Sequence, residues 1–164
     1  MYKRQVDIIL CESMSSIFEG SNASTVAKEF SERVWLSWTN RGHQPDQLPS
    51  TETLSNAVDF SIQADVECTL INCSHADMAS NSIKELKRAS KFGIFANSSR
   101  FKEVDLSIAT KDVDAIHHLN SETISAKEYA LNALDWAKEG AFVVGGCCGT
   151  CLLYTSDAAD DQAC

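Results

Sequence analysis

The chain has 164 residues, a net charge of −9 and a pI near 4.8, with 44% hydrophobic residues. That composition can fill one globular core, and its acidity argues against a nucleic-acid or anionic-membrane partner. No stretch approaches the roughly 20 consecutive apolar residues of a membrane span, and no secretory signal pattern opens the chain. Seven unevenly spaced cysteines point to a reducing compartment, with the cytoplasm as the expected location.

Strands and helices are predicted to alternate from the start. Val6–Leu10 is a short apolar run that predicts a first strand, followed by Cys11-Glu12-Ser13. Ala23, Val26, Ala27 and Phe30, at i, i+3, i+4 and i+7, predict an amphipathic helix. Val34–Trp38 reads as the second strand. A polar loop with Gly42, Pro45 and Pro49 then leads to a helix carrying Leu54, Ala57 and Val58 on one face. Cys68–Ile71 is the third strand and ends in Asn72-Cys73. A helix over Met78–Lys91 is expected to turn Ile83 and Leu86 inward, and Phe92–Ala96 is the fourth strand, before Asn97-Ser98. Residues 100–124 are less regular, with Val113–Leu119 either a short strand or a packed loop. Ser125 and Glu128 form a capping box at the head of a helix with Tyr129, Ala133, Leu134 and Ala137 towards the core. Gly140 ends that helix, and Ala141–Val144 is the fifth strand.

Five βα-type repeats with near-continuous apolar strands predict an α/β fold with a parallel sheet, either a barrel or an open doubly wound sheet. No G-x-G-x-x-G follows the first strand, which lowers the dinucleotide-binding option. The polar residues that invite a chemical reading are Glu12, Asn72, Cys73, Asn97, Cys147 and Cys148, and all lie at C-terminal strand ends. In a parallel barrel those ends share the rim on which sites assemble, which favours the barrel.

The most specific stretch is Gly145-Gly-Cys-Cys-Gly-Thr150. Neighbouring side chains on a regular strand point to opposite faces, so Cys147 and Cys148 converge only if the chain bends. Gly145, Gly146 and Gly149 supply that freedom. Paired soft donors suit a zinc site that takes one more thiolate from elsewhere; taken alone, the two also fit a buried, inert pair. Cys73 is placed to meet them across the rim. Cys11, Cys68, Trp35 and Trp38 read as packing residues. His43, His75, His117 and His118 show no ligand spacing and are expected on the surface or in loops.

Asn72-Cys73 together with Gly145–Thr150 resembles the zinc motifs of the homocysteine S-methyltransferases. Leu10-Cys-Glu-Ser13 resembles that family's strand ending in an acidic residue, and Ala96-Asn-Ser98 its Pro-Asn-Ser segment. Tyr129–Gly149 resembles the last helix and strand, so the resemblance runs from about Val6 to Thr150. It implies that Cys73, Cys147 and Cys148 hold Zn2+, that Glu12 binds the amino group of homocysteine, and that Asn97 is a substrate contact. The implied reaction moves a methyl group from a small-molecule donor to the thiol of homocysteine, giving methionine. Three thiolates leave one tetrahedral position for the substrate sulfur. A non-catalytic cysteine-rich zinc-binding or redox module is the competing reading, and a fourth protein ligand would mark it.

A complete (β/α)8 TIM barrel needs eight βα units and about 250 residues. This chain supplies about five, resembling the family from near its fourth strand. Residues 1–150 are therefore expected to form an incomplete, C-terminal part of such a barrel, inactive by itself. Ala96 replaces the family's proline, and Ser99-Arg100 its following glycine-glutamate. Cys151–Asp161 back-translates to begin with a transposon-end sequence used in sequencing-library adapters. Residues 151–164 are accordingly read as a non-native tail.

Overall fold

The computed structural model describes residues 6–42, 44–101 and 121–150. In chain order these form β1 (Ile9–Met14), α1 (Ile17–Lys28), β2 (Val34–Trp38), α2 (Leu54–Gln63), β3 (Cys68–Asn72), α3 (Ala76–Asn81), α4 (Ile83–Leu86), β4 (Phe92–Ala96), β5 (Ser99–Phe101), β6 (Ser121–Thr123), α5 (Ala126–Lys138) and β7 (Val143–Gly146). Five strands pair in parallel in the order β1-β2-β3-β4-β7, while β5 and β6 pair with each other in antiparallel fashion. Parallel neighbours require crossovers, and helices supply them. The fold is the expected α/β arrangement, with four βα units and a fifth parallel strand among the described residues, an incomplete (β/α)8 barrel with β1 and β7 at its two ends. Among the described residues no helix is long and apolar enough to cross a membrane.

Strand register divides the apolar residues between two faces. Leu36 pairs with Thr69, Trp38 with Ile71, Ile71 with Ile94, and Ile94 with Val144. Leu36, Trp38, Ile71 and Ile94 are fully buried against Leu54, Val58, Leu86 and Trp136 from the helices. Alternate residues, among them Trp35, Cys68, Leu70, Gly93 and Val143, line the other face. That face is concave, because the Trp35 and Phe142 rings meet edge-on at 6.1 Å although β3 and β4 separate their strands. Gly93 sits on that face with no room for a side chain: a Cβ there would lie 2.5 Å from Val143 Cγ1 and 2.9 Å from Leu70 Cδ2.

Both end strands lie further along the chain than the apolar runs predict. β1 runs from Ile9 to Met14 rather than Val6–Leu10, so Glu12 falls inside the strand, at the irregularity between Cys11 and Met14. β7 covers Val143–Gly146 rather than Ala141–Val144, because Gly145 and Gly146 still pair with Phe95 and Ala96 of β4.

Helix α1 also buries a different face from the one expected. Gly20, Ser24 and Ala27 point inward, whereas Val26 and Phe30 are exposed. The bulk comes from the sheet: the Trp38 ring lies 2.5 Å from where a Gly20 Cβ would stand, so the helix must present small residues. The predicted helix over Met78–Lys91 is two short helices, α3 and α4, hinged at Ser82, with Ile83 and Leu86 buried as expected. In α5 the capping box is formed, and Tyr129 and Ala133 pack on the core. Leu134 is exposed, and Trp136 takes the buried place by donating from Nε1 to Ser80 Oγ at 2.7 Å. Val113–Leu119 and residues 151–164 lie outside the described residues.

Candidate metal centre

At the C-terminal ends of the strands, Asn72 is buried and spends its amide on two neighbouring strands. Its Oδ1 accepts from Ser13 N at 3.0 Å and from Ser37 Oγ at 2.7 Å, and its Nδ2 donates to Ser13 Oγ at 2.7 Å. β1, β2 and β3 are thereby fastened together one residue before Cys73. Cys73 adopts a left-handed φ of 54°, a conformation that costs a non-glycine residue energy and is held by its surroundings. Its N–H still donates to Phe95 O at 3.2 Å, so the pairing with β4 runs on to Cys73.

The second ligand segment bends just past β7. Cys147 N–H donates to Ala96 O at 2.9 Å, Thr150 N–H closes a turn onto Cys147 O at 3.1 Å, and Gly149 takes a φ of 73°. The three sulfurs of Cys73, Cys147 and Cys148 consequently lie within 4.8 Å of one another, with Cys73 and Cys148 at 3.5 Å. Thiolates about 2.3 Å from a tetrahedral zinc stand about 3.8 Å apart, so the donor type and spacing both fit that ion.

The surroundings bear on what the cluster could hold. Burial, then the hydrogen bond with Cys148 and the proximity of Cys147, push the Cys73 thiol up to about 12. A thiolate at Cys73 therefore needs a compensating positive charge beside it. Tyr129 braces the floor from α5. Its hydroxyl lies 2.9 Å from Ala96 O and 2.7 Å from Gly145 O, so one proton is shared between β4 and β7. Burial first, and then the Cys147 sulfur, raise its phenol to about 12, keeping it a donor.

The structure brings Cys73, Cys147 and Cys148 together and places Asn97 beside them, where its Oδ1 accepts from Cys148 N at 3.1 Å. Glu12 is exposed on β1, two strands from β3, and adjoins the Ser13 that Asn72 holds. Cys11 and Cys68 pack, and burial raises both thiols, that of Cys68 to about 12. His75 departs from expectation: it is buried at the start of α3, with Nδ1 2.8 Å from Ser99 Oγ. Sequence reasoning misses the bracing by the Tyr129 hydroxyl. A tyrosine on an otherwise aliphatic inward stripe is the available signal, since its buried hydroxyl must find an acceptor.

The sequence pattern of the homocysteine S-methyltransferases matches residues 1–154. The chain is similar to homocysteine S-methyltransferase YbgG of Bacillus subtilis strain 168, at 24% identity over 147 residues, covering 88% of this chain and 43% of that protein. It also resembles the oxidized form of the homocysteine methyltransferase MmuM from Escherichia coli. That likeness has a TM-score of 0.63 at 20% identity, over 88% of this chain and 42% of the other. The apo form of the same enzyme gives 0.59 at 19% identity, over 88% and 46%. The chain thus spans less than half the length of these relatives. The pattern match nonetheless runs through both cysteine segments and all five parallel strands, and on that ground the chain belongs to the homocysteine S-methyltransferase family.

Proposed function

We propose that this chain is the metal-bearing part of an enzyme that methylates the thiol of homocysteine, giving methionine from a small-molecule methyl donor. Residues 1–150 belong to its barrel, further βα units complete that barrel, residues 151–164 are a foreign tail, and activity resides in the completed protein. One observation carries the reading: three thiols, from the ends of β3 and β7, converge within 4.8 Å on the rim where parallel barrels build their sites. A purely structural zinc site is closed by four protein ligands, whereas the cluster among the described residues has three.

Zinc held by Cys73, Cys147 and Cys148 supplies a Lewis acid that lowers the pKa of a substrate thiol. The chain's own residues bind and orient. Glu12 offers a carboxylate to the substrate ammonium, from a strand whose end Asn72 locks to β3. Asn97 flanks the three thiols from the end of β4, between the two cysteine segments. Cys148 is exposed, which leaves the substrate a way in. The transfer makes one sulfur–carbon bond, breaks the donor's bond to the methyl carbon and releases the thiol proton.

In the completed protein, Glu12→Gln is expected to raise the KM for homocysteine about tenfold or more, the worth of a hydrogen bond to a charged group, with zinc content unchanged. Loss of zinc with homocysteine affinity intact would overturn the role of Glu12. X-ray absorption at the zinc edge should count three sulfurs without homocysteine and four with it; four protein ligands and no change on addition would favour the non-catalytic module.

A further inference from the structure

We infer that Asn97 and Ser98, on the one strand end between the ligand segments that supplies no thiol, are positioning residues that clamp the Cys147-Cys148 loop over Cys73 and so set the metal affinity. The inference rests on the reading of the three thiols as a zinc site.

The bonds run from one ligand segment to the other. Asn97 N–H donates to Ser74 O at 2.8 Å, which fastens the main chain of Asn97 to the residue after Cys73. The same residue's Oδ1 accepts from Cys148 N at 3.1 Å. Ser98 N–H donates to Cys148 O at 3.0 Å, and Ser98 Oγ donates to Gly149 O. Both peptide groups flanking the Cys148 side chain are therefore held by two consecutive residues of β4's extension. The clamp is itself anchored, because Ile124 N–H, next to β6, donates to Ser98 O at 3.0 Å.

Such a device answers a local need. Cys148 is exposed, so packing does not fix it, and glycines flank the cysteine pair at Gly145, Gly146 and Gly149. A glycine-rich loop loses more conformational freedom on ordering than an ordinary one. Bonds that order the loop before the metal arrives remove that cost from the binding step. Partners one bond away from metal ligands are typically worth about 10–100-fold in metal affinity.

The test uses the completed protein, with zinc itself as the probe in competition with a chromophoric chelator. Asn97→Ala is expected to bind zinc about 10–100-fold more weakly and to release it faster, whereas Asn97→Asp, which keeps an acceptor oxygen, stays within about threefold. Amide exchange of Cys148 in the metal-free protein separates a clamp from a direct ligand. It should quicken about tenfold in Asn97→Ala and hold in Asn97→Asp, because the bond exists without metal. Unchanged exchange in Asn97→Ala, or an Asp variant as weak as the Ala variant, would overturn the inference. If exchange responds as expected but even the unsubstituted protein takes up no zinc, the clamp stands and the metal reading falls.

Discussion

Cys73 and Cys148 are 75 positions apart in the sequence and 3.5 Å apart at their sulfurs. The contact is a product of strand order: β3 and β7 flank β4, and both cysteine segments are hydrogen-bonded to it, Cys73 N–H to Phe95 O and Cys147 N–H to Ala96 O. Removing one sulfur leaves two donors and a serine hydroxyl, a poor ligand for a borderline-soft ion. Each of Cys73→Ser, Cys147→Ser and Cys148→Ser is expected to strip most of the zinc from the completed protein, as read by metal analysis after gel filtration. Full zinc in Cys148→Ser would sink the assignment.

At the opposite ends of the strands, Glu67 accepts from Arg33 Nε at 2.9 Å, Lys91 Nζ at 2.9 Å and Trp35 Nε1 at 3.2 Å. Arg33 first, and then Lys91, hold its carboxyl at about 2 against an ordinary 4.5. A depressed carboxylate stabilises the fold above its ordinary value, and that contribution disappears as pH falls towards the depressed one. The urea midpoint is therefore expected to drop between about pH 4.5 and 2, and to drop less in Glu67→Gln. Parallel profiles for the two proteins would show that the ion cluster does not couple to folding.

Two glycines are required by their neighbours rather than by turns. A methyl group on Gly93 would meet Val143 and Leu70 on the concave face, and one on Gly20 would meet the buried Trp38 ring. Leu70 and Trp38 are fully buried and cannot retreat freely. Gly93→Ala and Gly20→Ala are each expected to destabilise by about 1–3 kcal/mol, the usual cost of overpacking. A melting temperature equal to that of the unsubstituted protein in either variant would show that the sheet relaxes there.

The central strands β2, β3 and β4 are legible in the sequence because both faces are buried, so the apolar run is continuous and its limits are sharp. The two end strands are displaced because Glu12-Ser13 and Gly145-Gly146 interrupt the apolar pattern while still pairing with their neighbours. The face of α1 is misread for a related reason: periodicity follows large apolar residues, and here Trp38 on the sheet obliges the helix to offer Gly20, Ser24 and Ala27. At the site, the donors are legible from residue type, since three thiols at strand ends of a parallel sheet have few places to go. The Asn97–Cys148 and Asn72–Ser13 bonds are not, because they depend on loop angles that only the assembled strands impose.

The last prediction concerns residues 1–150 as an isolated polypeptide, which are expected not to form a stable, active monomer. Among the described residues, β1 and β7 each have one paired and one unpaired side, and open strand edges template association. The flanking helices add apolar surface: Phe18 on α1 is 78% exposed and Phe30 just beyond it 73%, while α5 exposes Leu131 and Leu134. Each Å² of apolar surface left in water forgoes about 25 cal/mol, against a net stability of about 5–15 kcal/mol for a whole domain. Zinc bound by the three thiols would offset part of the deficit, but it would fasten only the ends of β3 and β7 and close neither edge. Expressed with zinc, the polypeptide should show poor chemical-shift dispersion, a mass above that of a monomer and no methylation of homocysteine. Supplying the missing βα units of a family member as a second chain should restore a monodisperse complex, because parallel strands added between β7 and β1 bury the open edges and cover α1 and α5. A cooperative, monomeric and active product from residues 1–150 alone would refute the reading of this chain as part of a barrel.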